Sequence, residues 1–387
     1  QTCALPICID RWLKPLRPFQ CGKKAITQDF NTYYYSFQYV DYAKGFPVLK
    51  ISKSKEKSNT FINTKLTYET ARPYLMETQS KAVQLSGKTT VFSYVSGQFD
   101  FSKIIGETSY LYRTGVEFTP QEIYLLNISG ESELSGHYRF ASKRFRRSKY
   151  KIEDTPDDGW DLPTKYIYPI LTAPNITPFH YTISNDYGII PYEADNTRQP
   201  VSQNRLLKDY PELYNYLLRH KDMIDMQSEK SKQMHRGTEF YSLSKIGEYT
   251  FADNIVATRD NTHFCATVVA KGNTPWNEQK QTICVKHTIL ISQRTDGKFI
   301  SEEEAYYIAG ILNSTIVVAY IESAFKSNGF SLNKSNLYIP CFDENNELHK
   351  KIVSLSKEAT NSRLDDEIAG IQEKLTDLYI ELCERKQ

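Results

Sequence analysis

Little in this sequence offers a reactive centre. Its 387 residues hold seven cysteines, Cys3, Cys8, Cys21, Cys265, Cys284, Cys341 and Cys383, with no Cys-x-x-Cys pair. An odd, widely spaced set is neither a disulfide framework nor a zinc site, so reduced thiols are expected. The seven histidines, His137, His180, His220, His235, His263, His287 and His349, never fall at metal-ligand spacing. No Gly-x-Ser-x-Gly elbow, Walker-type phosphate loop or dinucleotide fingerprint occurs. No apolar run approaches the ~20 residues that span a bilayer, the longest being Ile316 to Ile321. The start does not read as a signal peptide. A cytoplasmic location with no membrane partner is the expectation. Neither sign of charge dominates: 48 Lys+Arg against 46 Asp+Glu leave a net charge of +2, so overall electrostatics names no partner.

What the sequence does have is aromatics. Its 28 Tyr, 19 Phe and 3 Trp make 13% of a chain with a mean hydropathy of -0.53, the composition of a tyrosine-rich globular protein. The length suits two domains. Gln1 to Ile7 have no helix, strand or turn logic and no initiator Met. A reverse translation of them resembles a sequencing-library adapter, so residues 1–7 are set aside as an artefact and the chain is expected to be the C-terminal part of a longer protein.

Residues 8–105 read as a polar, aromatic segment, the tail of a preceding domain or a linker. Strands are expected at Tyr33 to Val40 and Val91 to Val95, with an exposed lysine-rich loop at Lys50 to Lys57. From about residue 106 the texture changes, and a domain is expected over 106–345. It contains the densest charge cluster: Arg139, Lys143, Arg144, Arg146, Arg147, Lys149 and Lys151 are seven basic residues in thirteen with no acid. Without it the chain carries 41 basic against 46 acidic residues, so a near-neutral total hides a local positive patch. Such a patch anchors phosphate, with Phe140, Phe145 and Tyr150 available to pack or stack. Equally, Glu153, Asp154, Asp157, Asp158 and Asp161 could neutralise it within the chain.

Periodicity places a helix over Pro211 to Met226, strands near Tyr249 to Thr258, Thr262 to Ala270 and Ile283 to Ser292, and two helices after residue 301. The first of those helices opens on a capping box, Ser301 to Glu304, and the second runs from Ser314 to about Phe325. The fold class is therefore α+β, a mixed, largely antiparallel domain followed by C-terminal antiparallel helices over 346–387. There Leu364, Ile368, Ile371, Leu375, Leu378 and Leu382 form an a/d seam of almost three heptads. That length favours packing on the neighbouring row Leu348, Ile352, Leu355 and Ala359 over a coiled coil with a second subunit.

Catalytic signatures are weak. Glu278-Gln279-Lys280 and Asp296-Gly297-Lys298 match the last triplet of a metal-dependent nuclease without an acidic strand before them. Amino-methyl transfer to a flipped base needs an Asn-Pro-Pro-Tyr type loop, and Ile190-Pro191-Tyr192 lacks its first proline and its polar residue.

Several ordered stretches carry a resemblance: Arg113-Thr114-Gly115-Val116 with Thr119-Pro120, Tyr166 to Leu171, Ile189-Ile190-Pro191-Tyr192, Tyr210 to Leu217, Phe240-Tyr241-Ser242-Leu243, Tyr306 to Ser314, and Leu337 to Asp343. In order and spacing, residues 110 to 385 resemble the C-terminal target-recognition region of adenine-specific DNA methyltransferases of restriction–modification systems, the group with a TaqI-like or Eco57I-like specificity domain. The sequence departs from that pattern at Gln227, where relatives often carry a basic residue, and at 139–151, which looks like an insertion.

The resemblance implies a DNA-reading fragment whose missing upstream domain binds S-adenosylmethionine and transfers the methyl group. No cofactor, metal or catalytic residue is assigned to this fragment. Its implied partners are double-stranded DNA and its own catalytic domain; a second subunit bound through the C-terminal helices is the alternative to in-chain packing of the seam. In the division of labour common to such proteins, cations fix the register on phosphates while a few side chains read base edges. Phosphate contacts are assigned to Arg139, Lys143, Arg144, Arg146, Arg147 and Lys149, with Lys230, Lys232 and Arg236 as a second loop. Base or sugar contacts are assigned to Asn204, Arg205 and Asn333, Lys334 and Asn336. Arg113 and Thr119 are assigned to organising the domain entrance. The competing readings are a free-standing specificity subunit and a restriction endonuclease.

Overall fold

The computed structural model of the chain describes residues 99–143, 159–227, 232–259, 263–324, 332 and 335–385, together with the backbone of seven strands before residue 96. Two compact units emerge, one of residues 1–105 with 319–329, the other of 106–318 with 330–387. In the first, Cys8–Trp12 pairs with Tyr33–Ser36, and Phe46–Lys53, Leu75–Gln84 and Phe92–Val95 form a three-stranded antiparallel sheet. The expected loop from Lys50 is corrected at its start, because Lys50 and Lys53 lie within a paired strand. Charged residues do not end a strand whose backbone finds a partner at every position.

The second unit is α+β and largely antiparallel. The strands of its two larger sheets are β1 (Tyr110–Thr114), β2 (Leu125–Glu131), β3 (His137–Ser142), β4 (Trp160–Pro163), β5 (Ile167–Leu171), β6 (Asp186–Ile189), β7 (Ile255–Arg259), β8 (Ala266–Val269), β9 (Ile283–Cys284) and β10 (Thr288–Arg294). They form a six-stranded sheet in the order β4-β3-β2-β6-β5-β9 and a four-stranded sheet in the order β8-β7-β10-β1. Only β5 and β9 pair in parallel, Ile170 opposite Ile283.

Short helix α1 (Gln121–Tyr124) feeds β2, and α2 (Gln203–Asp209), α3 (Pro211–Arg219) and α4 (Lys221–Asp225) share the core of the larger sheet. The helix expected over Pro211 to Met226 is broken at His220. Its buried imidazole donates Nδ1–H to the Tyr216 carbonyl at 2.8 Å, taking the acceptor that the next turn requires.

Helix α5 (Glu302–Asn313) packs on β7 and β8, and α6 (Thr315–Ala324) follows it. The capping box is formed: Glu304 N donates to Ser301 Oγ at 3.2 Å, and Ser301 N to Glu304 Oε2 at 3.4 Å. Helices α7 (Glu347–Asn361) and α8 (Asp365–Glu384) close over α5. Gly310 permits that approach, since a Cβ there would lie 2.3 Å from Ser356 Oγ and 2.8 Å from Ile352 Cγ2. The C-terminal seam is buried within its own chain at Ile368, Ile371, Leu375 and Leu382, with Tyr379 joining it. Two seam positions depart: Leu378 is half-buried, and Leu364 is the N-cap of α8 and is exposed. Among the described residues no single helix is long and apolar enough to cross a membrane.

The tyrosines explain the composition. Tyr110, Tyr166, Tyr192, Tyr216, Tyr241, Tyr307 and Tyr379 are fully buried, and each hydroxyl finds a partner far away in sequence. A buried phenol supplies apolar area and one directional bond that ties a loop to the core. The four described cysteines are free. Burial pushes the Cys265 and Cys284 thiols up to about 12.

Candidate nucleic-acid interface

Two chain crossings carry the backbone between the sheets, and they run side by side. One leaves β1 through Gly115 to Phe118, and the other leaves β9 through Val285 to His287 and enters β10. Val116 bridges Val285 in parallel, and Glu117 bridges Ser244. Val116 N donates to Cys284 O at 2.9 Å, Lys286 N to Val116 O at 2.8 Å, and Gly115 N to Thr288 O at 3.1 Å. Only glycine fits at residue 115, because a Cβ would stand 2.4 Å from Cys284 O and 2.5 Å from Val285 O.

Glu117 sits at the centre of this junction with its side chain 13% exposed. Lys245 Nζ lies 3.0 Å from its carboxylate, and Lys286 Nζ contacts the other oxygen. Burial alone would raise its pKa, but the two ammonium groups outweigh burial and hold the carboxyl below its ordinary value. Lys245 and His287 both adopt left-handed backbone, φ 58° and 75°. Strained non-glycine residues of this kind persist only where surrounding structure fixes them, and they gather at ligand sites.

Two guanidinium groups meet at a ring on the same stretch of chain as Lys245, that of Tyr249. Arg113 lies 5.5 Å from the centroid of the Tyr249 ring. Burial raises the Tyr249 phenol, and the charges of both Arg113 and Arg236 oppose that rise, so both act on one ring. Arg236 is exposed, yet its backbone is fixed: N donates to Leu243 O at 2.8 Å, and O accepts from Tyr192 OH at 2.6 Å. Neither guanidinium meets a carboxylate among the described residues. Glu239, the nearest acid along the chain, is held by the Gln203 side-chain amide at 2.7 Å. Burial lowers the pKa of neighbouring His235, which therefore adds no charge at neutral pH. Lys245 and Lys286 thus pair with one carboxylate, while Arg113 and Arg236 share the Tyr249 ring, and the backbone bridges from Ser244 to Glu117 and to His235 join the two groups.

The residues singled out in the sequence are dispersed. Arg139 lies on β3 opposite Asp161 of β4, and Lys143 Nζ pairs with Asp186 at 2.6 Å. Asp186 also accepts from Ser184 and Asn127. Phe140, expected to pack or stack, packs: it is fully buried in the core of the larger sheet, with Trp276 5.8 Å away. Arg205 is exposed on α2, where Glu193 at 3.0 Å and Asp209 at 3.7 Å neutralise it, and Asn204 beside it is exposed. Lys232 precedes the Arg236 loop and is half-buried. Asn336 is left-handed, φ 50°, and its carbonyl accepts from Gly106 N at 2.7 Å. Arg144, Arg146, Arg147, Lys149, Lys230, Asn333 and Lys334 lie outside the described residues, as do residues 1–7. Of the assigned contacts, the junction holds Arg236 alone.

The remaining chemical candidates have structural roles. Lys280 donates to the carbonyls of Lys165 and Ile167 at 3.1 and 3.0 Å and contacts that of Thr164, while Glu278 accepts from Trp276 Nε1 at 2.9 Å. No group of three His, Cys, Asp or Glu residues able to hold a metal ion occurs among the described residues. Tyr192 is fully buried and its hydroxyl serves Arg236 and Leu243, so its ring cannot stack on a flipped base. These residues do not fit an S-adenosylmethionine-dependent catalytic loop. A cavity of about 370 Å³ is lined by Asp195, Glu248, Phe251, Asp253, Asn254 and Phe299, whose acids disfavour phosphate.

No protein-family model matches the chain, and no curated protein matches it. A solved structure does. It is the Type IIL restriction–modification enzyme MmeI in complex with DNA, similar over 97% of this chain with a TM-score of 0.50 and 11% identity. The chain spans 43% of that enzyme's length. At this identity the likeness is one of fold.

Sequence reading missed the junction because Arg113, Lys245 and Lys286 are each isolated in the chain, with no local density of charge. The one available signal was Gly115 beside Arg113, a glycine interrupting a strand-like run, which marks a close backbone approach.

Proposed function

We propose that this chain is the DNA-recognition part of a restriction–modification protein. The observation that carries this reading is fold similarity over nearly the whole chain to an enzyme of that kind solved with DNA, of which the chain matches less than half. The resemblance of residues 110 to 385 to target-recognition regions points the same way. In the finer form of the proposal the parent is an adenine-specific DNA methyltransferase acting in the cytoplasm. A catalytic domain elsewhere in the longer protein would bind S-adenosylmethionine, and this part would select the site. The burial of Tyr192 fits that division, since the nearest approach to a base-holding loop is committed to packing.

The test is binding of the chain to a labelled duplex oligonucleotide of mixed sequence, followed by anisotropy across a salt series. Micromolar binding at low salt that weakens log-linearly with salt is expected. No binding at ~20 mM salt, where the Debye length is roughly 20 Å and screening is weak, overturns the proposal.

A further inference from the structure

We infer that the sheet junction is a seat for the DNA backbone, in which Arg113, Arg236, Lys245 and Lys286 take phosphate and Glu117 is the internal anion that holds the two lysines in place before DNA arrives. This deepens the DNA-recognition reading and rests on it. Cations from three distant segments meet at the junction: Lys245 and Lys286 pair with Glu117, Arg113 and Arg236 act on the Tyr249 ring, and among the described residues Glu117 is the only carboxylate paired with any of the four. A half-buried carboxylate that bridges two ammonium groups prevents their mutual repulsion. It also sets them at a spacing at which phosphate oxygens can be bound. Left-handed backbone at Lys245 and His287 is an independent observation, since both strained residues lie on the rim of the same cluster. The partner is phosphate and not a base edge. Lysine ammonium groups act as point charges, and the Tyr249 ring is already covered by Arg113.

The arrangement makes an unusual demand: removing the acid should improve binding. Glu117→Gln keeps a hydrogen-bond acceptor for the lysines while deleting the competing charge. It should tighten duplex binding several-fold and steepen the salt dependence. Lys245→Asn combined with Lys286→Gln should weaken binding of every duplex alike and reduce the log–log salt slope by about 2, one unit per lost phosphate contact. Asparagine is chosen at 245 because it tolerates the left-handed backbone. Should that pair fail to fold, Arg113→Gln with Arg236→Gln is judged by the same slope, as both guanidinium groups lie outside the Glu117 ion pairs.

Wild-type binding with an unchanged slope in the folded variants overturns the phosphate seat and leaves the DNA-recognition reading standing. So does a loss that differs between duplexes of different sequence, which would mean base reading. A wild-type chain that binds no duplex overturns the reading beneath it.

Discussion

The side-chain amide of Asn313 pairs with both backbone groups of Ala266: Oδ1 accepts from the amide at 2.9 Å, and Nδ2 donates to the carbonyl at 2.8 Å. Asn313 is fully buried at the end of α5, so it extends the ladder of β8 as a backbone neighbour would. Gln372 Nε2 of α8 adds a bond of 2.7 Å to the Asn313 carbonyl. Asn313→Leu should therefore cost on the order of 3 kcal/mol, because it strands a buried donor and acceptor together. Urea denaturation measures it, and a loss below ~0.5 kcal/mol, the range of an ordinary surface change, would show the clamp to be dispensable.

A buried ion pair ties β10 to the start of α5. Arg294 Nε and Nη2 meet the two Glu304 oxygens at 2.7 and 2.8 Å, and Tyr110 OH donates to the same carboxylate at 2.7 Å while accepting from Phe342 N at 3.0 Å. Burial and the Glu304 charge push the Tyr110 phenol far above its ordinary value, so it stays a donor at any working pH. Arg294→Met should cost about 3 kcal/mol or more by leaving a buried carboxylate with its charge uncompensated. Tyr110→Phe should cost less, about 1 to 2 kcal/mol for one donor and one acceptor lost. Comparing the two variants by thermal and chemical denaturation checks the order, and equal costs would contradict it.

Acid should destabilise the fold through two carboxylates. Burial would raise both Glu117 and Asp186, yet their lysine partners prevail and each folded pKa lies below its ordinary value. Their contribution is therefore complete above the unfolded values, 4.5 and 3.8, and is lost as pH falls through the lower folded values. Stability measured from pH 6 down to ~3, a window chosen around carboxylate titration, should decline, and less steeply in Asp186→Asn. An identical slope in that variant would remove Asp186 from the account.

The basic run beyond Lys143 makes its own prediction on DNA. Neutralising Arg144, Arg146 and Arg147 together should weaken affinity for all sequences and flatten the salt dependence by up to ~3 slope units, one per contact. An unaltered slope would make the run a solvated loop balanced by the acids that follow it.

Much of the local architecture was legible before any coordinates. The Ser301 cap, α5 and the burial of Ile308, Ile311 and Leu312 follow from short-range rules of spacing and capping. So does the in-chain burial of the C-terminal helix face from Ile368 to Leu382. The helix over Pro211 to Met226 was mistaken at one point only. Nothing in a linear pattern says that the His220 ring will bond the Tyr216 carbonyl. For a related reason the choice between packing and stacking at Phe140 stays open in the sequence, as a basic neighbourhood along the chain does not reveal which face of a strand is buried.

The sequence by itself determined the α+β class, the tyrosine-rich composition and the capped helix that starts after Ser301, because those features depend on composition or on residues within a turn or two of one another. Only the tertiary structure decided that Lys245 and Lys286 meet on Glu117 and Arg113 and Arg236 on Tyr249, and that Arg205 and Lys143 are already neutralised by Glu193 and Asp186. Coulomb energy depends on distance through space, and two crossings between sheets, opened by a glycine with no room for a Cβ, set that distance.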